Sequence, residues 1–305
     1  MSNLIKPDYS EFIKSTGMFY IDPELESAIE REVKQATDTL WSRMKGIATS
    51  EGLKQYIKDD PESLDNLISL MNISSEKFKR VITTLRLEKG HAITGEWDLS
   101  KIRSMMIERP SFMDEVCELL SDGANNPKYQ KIIPPFYIEN FVIDSSTMAR
   151  LSNPDDLRRL IKKGVEGRYN NQIGSSYYKA VETAVSRMCF REGLTYVTNK
   201  HVPLLGRTVH FAIPNEVNPL VIIDVSYNIT TSSTQTRYKD AAEQASTRIR
   251  EYNASAKQQI AFVNVLDGAG WVGRQSDYRA IHHCTTFALH LSTIDQLAEI
   301  LKQYC

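Results

Sequence analysis

The residues best suited to chemistry lie in the run PLVIIDVSYN (219–228), where Asp224 interrupts an apolar stretch of the kind that forms a buried strand. Burying a carboxylate is costly unless a cation or hydrogen-bond donors meet it, so Asp224 points to a function or to a structural ion pair. Ser226, two residues on, shares its strand face, while Val225 projects the other way. The preceding run TVHFAIP (208–214) holds the polar His210 at its centre, and a helical pattern upstream carries Glu182. A magnesium ion takes a few converging hard oxygen ligands, which a hairpin and a nearby helix could assemble from Asp224, Glu182 and, less suitably, His210. The bland alternatives are a strand-end cap for Asp224, a satisfied core histidine for His210 and a solvated helix face for Glu182.

Two polar segments follow the acid. TTSSTQT (230–236) either caps the free amides of a helix start or offers hydroxyls and amides to phosphate oxygens; its candidates are Thr230, Thr231, Ser232, Ser233 and Gln235, with Arg237 and Lys239 just beyond. DGAGWVG (267–273) has the GxGxxG spacing, but only 32 residues follow Gly273, too few for the further strands of a dinucleotide fold. A strand-to-loop turn with Trp271 packed inward is the simpler expectation, leaving Arg274 and Gln275 at a rim where they could hydrogen-bond base edges. His282 and His283 are adjacent and point two ways, a poor metal clamp, and there is no GxSxG elbow.

Around these residues the chain sorts into two regions. From about Ile21 to Leu120 the pattern is helical. Asp60-Pro61 reads as a helix start. In the stretch 73–90, Ser74 and Ser75 cap a helix that turns Phe78, Val81, Ile82 and Leu85 inward and Lys77, Lys79, Arg80 and Arg86 outward. A break from Gly90 to Gly95 and a second helix from about Trp97 suggest a helix-turn-helix or winged-helix DNA reader, or an ordinary amphipathic pair. The Gly-, Asn- and Pro-rich stretch 121–135 reads as a linker, dividing a helical domain at 1–130 from an α/β domain at 131–305. In the latter we expect a strand at Phe136–Ile143, a helix from Pro154 ending at Gly164, and a helix from Ser175 to Gly193. Beyond these come the apolar runs 208–214, 219–228, 258–266 and 285–291, with a crossover helix between the second and third. That order is α/β, a mixed sheet flanked by helices.

Charge is balanced, 37 Lys and Arg against 38 Asp and Glu, so no global basic field advertises nucleic acid, although a local cleft would not show in that sum. The four cysteines are far apart with no CxxC pair, which argues against a zinc site or disulfide framework. No secretory signal and no apolar run of about 18 residues is present, so a cytoplasmic location without membrane contact is expected.

The order Glu182, His210, Asp224 resembles the PD-(D/E)XK nuclease superfamily, and the stretch from about Val165 to Ile300 looks like a type II restriction endonuclease. His210, before Phe211, stands where the motif has its first aspartate, and Asp224, after Val221 to Ile223, where it has its second acid. The resemblance implies a sequence-specific, Mg2+-dependent endonuclease acting on double-stranded DNA as a homodimer, with Asp224 a metal ligand and His210 and Glu182 beside it. Ser226 stands where the motif has its lysine, so the pattern here is H…DxS. This departure leaves open a DNA-binding protein on a degenerate nuclease scaffold.

Overall fold

The computed structural model describes residues 5–90, 95–256 and 258–305. The chain divides into two compact units: Glu26–Tyr169, and the N-terminal segment through Leu25 together with Asn170–Cys305. Residues 91–94, inside the break expected between Gly90 and Gly95, lie outside the described residues, as do residues 1–4.

The first unit is helical. After α1 (Tyr9–Lys14), which belongs to the other unit, come α2 (Pro23–Met44), α3 (Ser50–Asp59), α4 (Ser63–Leu70), α5 (Ser75–Glu88), α6 (Leu99–Glu108) and α7 (Pro110–Asp122). The short α8 (Pro127–Gln130), α9 (Pro135–Ile138) and α10 (Ser145–Leu151) lead into α11 (Pro154–Arg191), and the division between the units falls inside α2 and α11. Side-chain caps set several starts as read from sequence: Ser74 accepts from the N–H of Lys77 at 3.1 Å, and Asp98 from that of Lys101 at 2.7 Å.

Three expectations fail here for local reasons. The presumed linker is no linker, because Tyr129, Ile133 and Ile138 are buried in the same core as Phe78, Val81 and Leu120, so the compact units do not divide at residue 130. Phe136–Ile143 is not a strand; Pro135 opens the short α9, and Ile138 and Phe141, three apart, both turn into that core. The helix from Pro154 does not end at Gly164 but runs on through Gly167 and Gly174 to Arg191. A glycine weakens a helix by about 1 kcal/mol without forbidding it.

The second unit is an α/β sandwich, as the apolar runs imply. Its sheet has the order β1 (Val197–Val202), β2 (Arg207–Ile213), β3 (Val221–Tyr227), β4 (Ala261–Asp267), β5 (Phe287–Leu289). The first three strands are antiparallel neighbours, whereas β3, β4 and β5 run parallel. The strand β1 escaped the sequence reading because its Asn199, Lys200 and His201 are exposed on an edge, leaving little apolar pattern. Alternation sorts β3 in two: Val221, Ile223 and Val225 face Val181 and Val185 of α11 and Leu297 and Leu301 of α15 (Leu297–Tyr304). Ile222 faces the other way, toward Ala242, Ala245 and Ile249 of the crossover helix α12 (Ser233–Ser255).

The glycines of DGAGWVG serve a close approach and not a nucleotide. Gly268 has φ +109°, and the Gly270 N–H donates to the Asn228 carbonyl at 2.8 Å, so this turn lies against the loop after β3. A Cβ at Gly270 would collide with the carbonyl oxygens of Asn228 and Thr230. Only α13 (Ala269–Gly273) and α14 (Gln275–Cys284) follow before the short β5, and Trp271 is fully buried. Gly270→Ala is expected to cost about 3 kcal/mol of stability by urea unfolding. A loss below about 0.5 kcal/mol, the scatter of ordinary surface changes, would contradict this close approach.

Candidate active site

The ladder between β2 and β3 pairs Ile213 with Val221, Ala212 with Ile222 and Phe211 with Ile223. One step further, His210 comes opposite Asp224, and there a carboxylate takes over from the backbone. Asp224 Oδ1 accepts the His210 main-chain N–H at 3.4 Å and lies 3.2 Å from His210 Nδ1. Its other oxygen, Oδ2, accepts from the guanidinium of Arg207, the first residue of β2. Asp224 is 2 % exposed. His210 Nδ1 also lies 3.3 Å from the Val225 N–H, so its tautomer decides whether it donates to the carboxylate or accepts from the amide.

Burial alone would raise the Asp224 carboxyl, but the His210 hydrogen bond and the Arg207 guanidinium outweigh it and hold the group below the usual carboxylate range. The environment extends into β4. Asn264, the register partner of Asp224, is fully buried; its Oδ1 accepts from the Tyr238 hydroxyl of α12 at 2.7 Å, and its Nδ2 has no partner among the described residues. Burial, reinforced by the Asp224 charge, drives the Tyr238 hydroxyl well above its ordinary value. Sequence reasoning missed Arg207, Asn264 and Tyr238. Asn264 carried the same signal as Asp224, a polar residue inside the apolar run AFVNVLD; Arg207 and Tyr238 carried none.

The other anticipated residues are placed unevenly. Ser226 is half-buried at the end of β3, and its hydroxyl accepts from Asn228 Nδ2 at 2.8 Å. Glu182 lies on α11 in an open cleft with Tyr178, Lys179 and Tyr227, and among the described residues no hydrogen bond or ion pair joins it to Asp224 or His210. The link between the two sides is aromatic: the Tyr178 ring lies 5.6 Å from that of His210. Among the described residues no group of three or more His, Cys, Asp and Glu could hold a metal ion. The donor set does not fit magnesium. It offers one carboxylate already paired with a guanidinium, one imidazole and one tethered hydroxyl, where a hard cation wants several free oxygens.

Along the segment after β3, Thr230, Thr231, Ser232 and Ser233 are exposed. Gln235 is fully buried and closes a capping box, its Oε1 accepting the Ser232 N–H at 2.8 Å, so it anchors α12 and presents no surface. Arg237 is exposed, whereas Lys239 pairs with Asp240 at 2.6 Å and Glu243 at 3.5 Å. Arg274 donates to the Ser232 carbonyl at 2.6 Å and lies 3.2 Å from Asp277, tying the two loops together, and Gln275 beside it is exposed.

A second buried acid, Asp267 at the end of β4, has a structural task. It accepts from the Tyr177 hydroxyl at 2.6 Å, the Gly17 N–H at 2.7 Å and the Leu291 N–H at 2.8 Å, fastening the N-terminal segment and α11 to the sheet. His290 Nδ1 lies 3.1 Å from its Oδ1 as well, and a carboxylate so surrounded has little left for a ligand.

These placements belong to a restriction-endonuclease domain. A family model described as the BanI C-terminal domain matches residues 136–305, more than half of the chain, and the chain belongs to that family. No curated protein matches the chain. No helix among the described residues is long and apolar enough to cross a membrane.

The depressed Asp224 carboxyl has a signed consequence. Its contribution to stability is fully present above the unfolded value, about pH 3.9, and is lost as pH falls through the lower folded value. Asp224→Asn should therefore be less stable near neutrality and lose less stability than the parent on acidification below about pH 4, as urea midpoints would show. Parallel pH profiles for the two proteins would refute the assignment.

Proposed function

We propose that this protein is a type II restriction endonuclease of the PD-(D/E)XK superfamily, hydrolysing phosphodiester bonds of double-stranded DNA at a specific sequence. The observation that supports it best is Asp224, an acid held charged on a central strand where β2 and β3 part, within a domain of a restriction-endonuclease family. An antiparallel hairpin running into parallel strands, with helices on both faces, agrees with that superfamily. In this reading Asp224 is the site acid, with His210 and Ser226 at its side. The exposed Thr230, Thr231, Ser232, Ser233, Arg237 and Gln275 meet the duplex, and the helical unit assists binding. A homodimer suits a palindromic site, because a two-fold protein matches a two-fold sequence, and the cytoplasm is where such an enzyme meets foreign DNA. Magnesium is the cofactor that the resemblance implies, and Asp224 would have to be released from Arg207 to meet it.

One observation favours a second reading. Arg207 occupies the side of Asp224 where a cation is wanted, and the described residues supply no further ligands, which suits a protein that binds DNA without cutting it. Incubating plasmid DNA with the protein and Mg2+ or Mn2+ separates the two. Discrete fragments, with the rate lowered at least about 100-fold by Asp224→Ala, establish the endonuclease. A retarded band without cleavage under both metals establishes the binder, and no affinity for DNA at low salt refutes both.

A further inference from the structure

The helical unit contains a small cavity whose positive charge is left unsatisfied. It has a volume of about 140 Å³ and is lined by Arg86, Lys89, Trp97, Arg109, Ser111 and Glu115 among others. Sequence patterning placed Arg86 on an outward face of α5, yet the residue is 4 % exposed. Its guanidinium carbon lies 3.5 Å from the centre of the Trp97 ring, and its Nη1 donates to the Gly95 carbonyl at 3.3 Å. Its Nε is buried and has no hydrogen-bond partner among the described residues. A buried donor left unmade costs about 1–3 kcal/mol, and stacking on tryptophan supplies no acceptor.

The same cavity receives the start of α7, which has thirteen residues, begins with Pro110 and has no side-chain cap at Arg109. Ser111 lies in that first turn, where the helix dipole presents its positive end. Two more cations border the space, Lys89 and Arg109, both exposed at their residues. Against these three positive groups stands one carboxylate, Glu115, which Lys89 reaches at 2.6 Å and Lys128 at 3.7 Å. Lys89 and Glu115 answer one another, although Glu115 Oε2 has no hydrogen bond among the described residues. No carboxylate among the described residues pairs with Arg86 or Arg109, so the lining keeps a net positive charge that an oxyanion would meet. At roughly 30 Å³ per water the cavity holds four or five waters, enough for one tetrahedral oxyanion and too little for a nucleoside.

We propose that this cavity binds a phosphate-class oxyanion, held by Arg86, Arg109 and the Ser111 end of the first turn of α7. The source of that chemistry is either a phosphate of a DNA backbone lying across the helical unit or free inorganic phosphate. Neither requires the sheet unit to cut DNA, so the site stands or falls independently of the nuclease reading.

The full chain is titrated calorimetrically with inorganic phosphate, and separately its affinity for a duplex oligonucleotide is measured as a function of salt. The variants are Arg109→Gln, at an exposed position where folding is not at stake, and Arg86→Lys, which keeps the charge but removes Nε; unfolding midpoints confirm that each is folded. If the ligand is free phosphate, binding saturates in the millimolar range or below, and both variants weaken it about tenfold, the effect of losing one charge-assisted contact. If it is a DNA phosphate, Arg109→Gln weakens duplex binding equally for unrelated sequences and lowers the salt slope by about one. Unchanged binding in both arms for folded variants overturns the proposal.

Discussion

The sheet unit is organised around the burial of one negative charge in the middle of its sheet. Asp224 is nearly inaccessible, and an ion in that position persists only if its environment replaces the water it has lost. Arg207 supplies a cation, His210 a main-chain N–H and an imidazole nitrogen, and both come from β2. The strands β2 and β3 cannot therefore pair regularly to their ends; the backbone ladder gives way to side-chain bonding beyond Phe211 and Ile223. The point of divergence is also the point of chemical interest, since it places a charged carboxylate near the end of the antiparallel pairing.

The surrounding parts hold that point still. On the parallel side Asn264 stands level with Asp224 and is itself held by Tyr238. Beyond the strand ends, Gly268 and Gly270 let the turn after β4 lie on the loop after β3, and Arg274 and the Ser232–Gln235 capping box fix that loop to α12. Asp267 closes the assembly from below by gathering Gly17, Tyr177 and Leu291. Two buried aspartates on neighbouring strands thus have different tasks. Asp267 is surrounded by the Tyr177 hydroxyl, two main-chain N–H groups and the His290 ring, whereas Asp224 is met by the Arg207 guanidinium and by His210.

What was legible in the sequence follows from where the free energy lies. Strands β2 to β5, the C-terminal half of α11 and the helix α12 showed themselves because their apolar spacing is dictated by burial on one or both faces. The edge strand β1 and the short α9 were obscured, one by its polar exposed residues and the other by four residues that carry no period. Asp224 and its neighbour His210 were visible as polar residues in apolar runs. Arg207 was not, because an arginine at the first position of a strand is usual on any surface, and its pairing with Asp224 depends on strand register. Glu182 illustrates the opposite case: order along the chain put it with the acid, and the fold puts it in a cleft beside Tyr178 without a bond to Asp224.

Asp224 is kept charged by His210 and Arg207 together, and Arg207 is the permanent cation of the two. A double-mutant cycle of Asp224→Asn and Arg207→Gln, read by urea unfolding of the four proteins, measures that coupling directly. A favourable interaction of about 1–3 kcal/mol is predicted, since Arg207→Gln strands the buried Asp224 without its cation. Additive effects, with a coupling near zero, would show that the guanidinium does not sustain the acid and would contradict this account of the site.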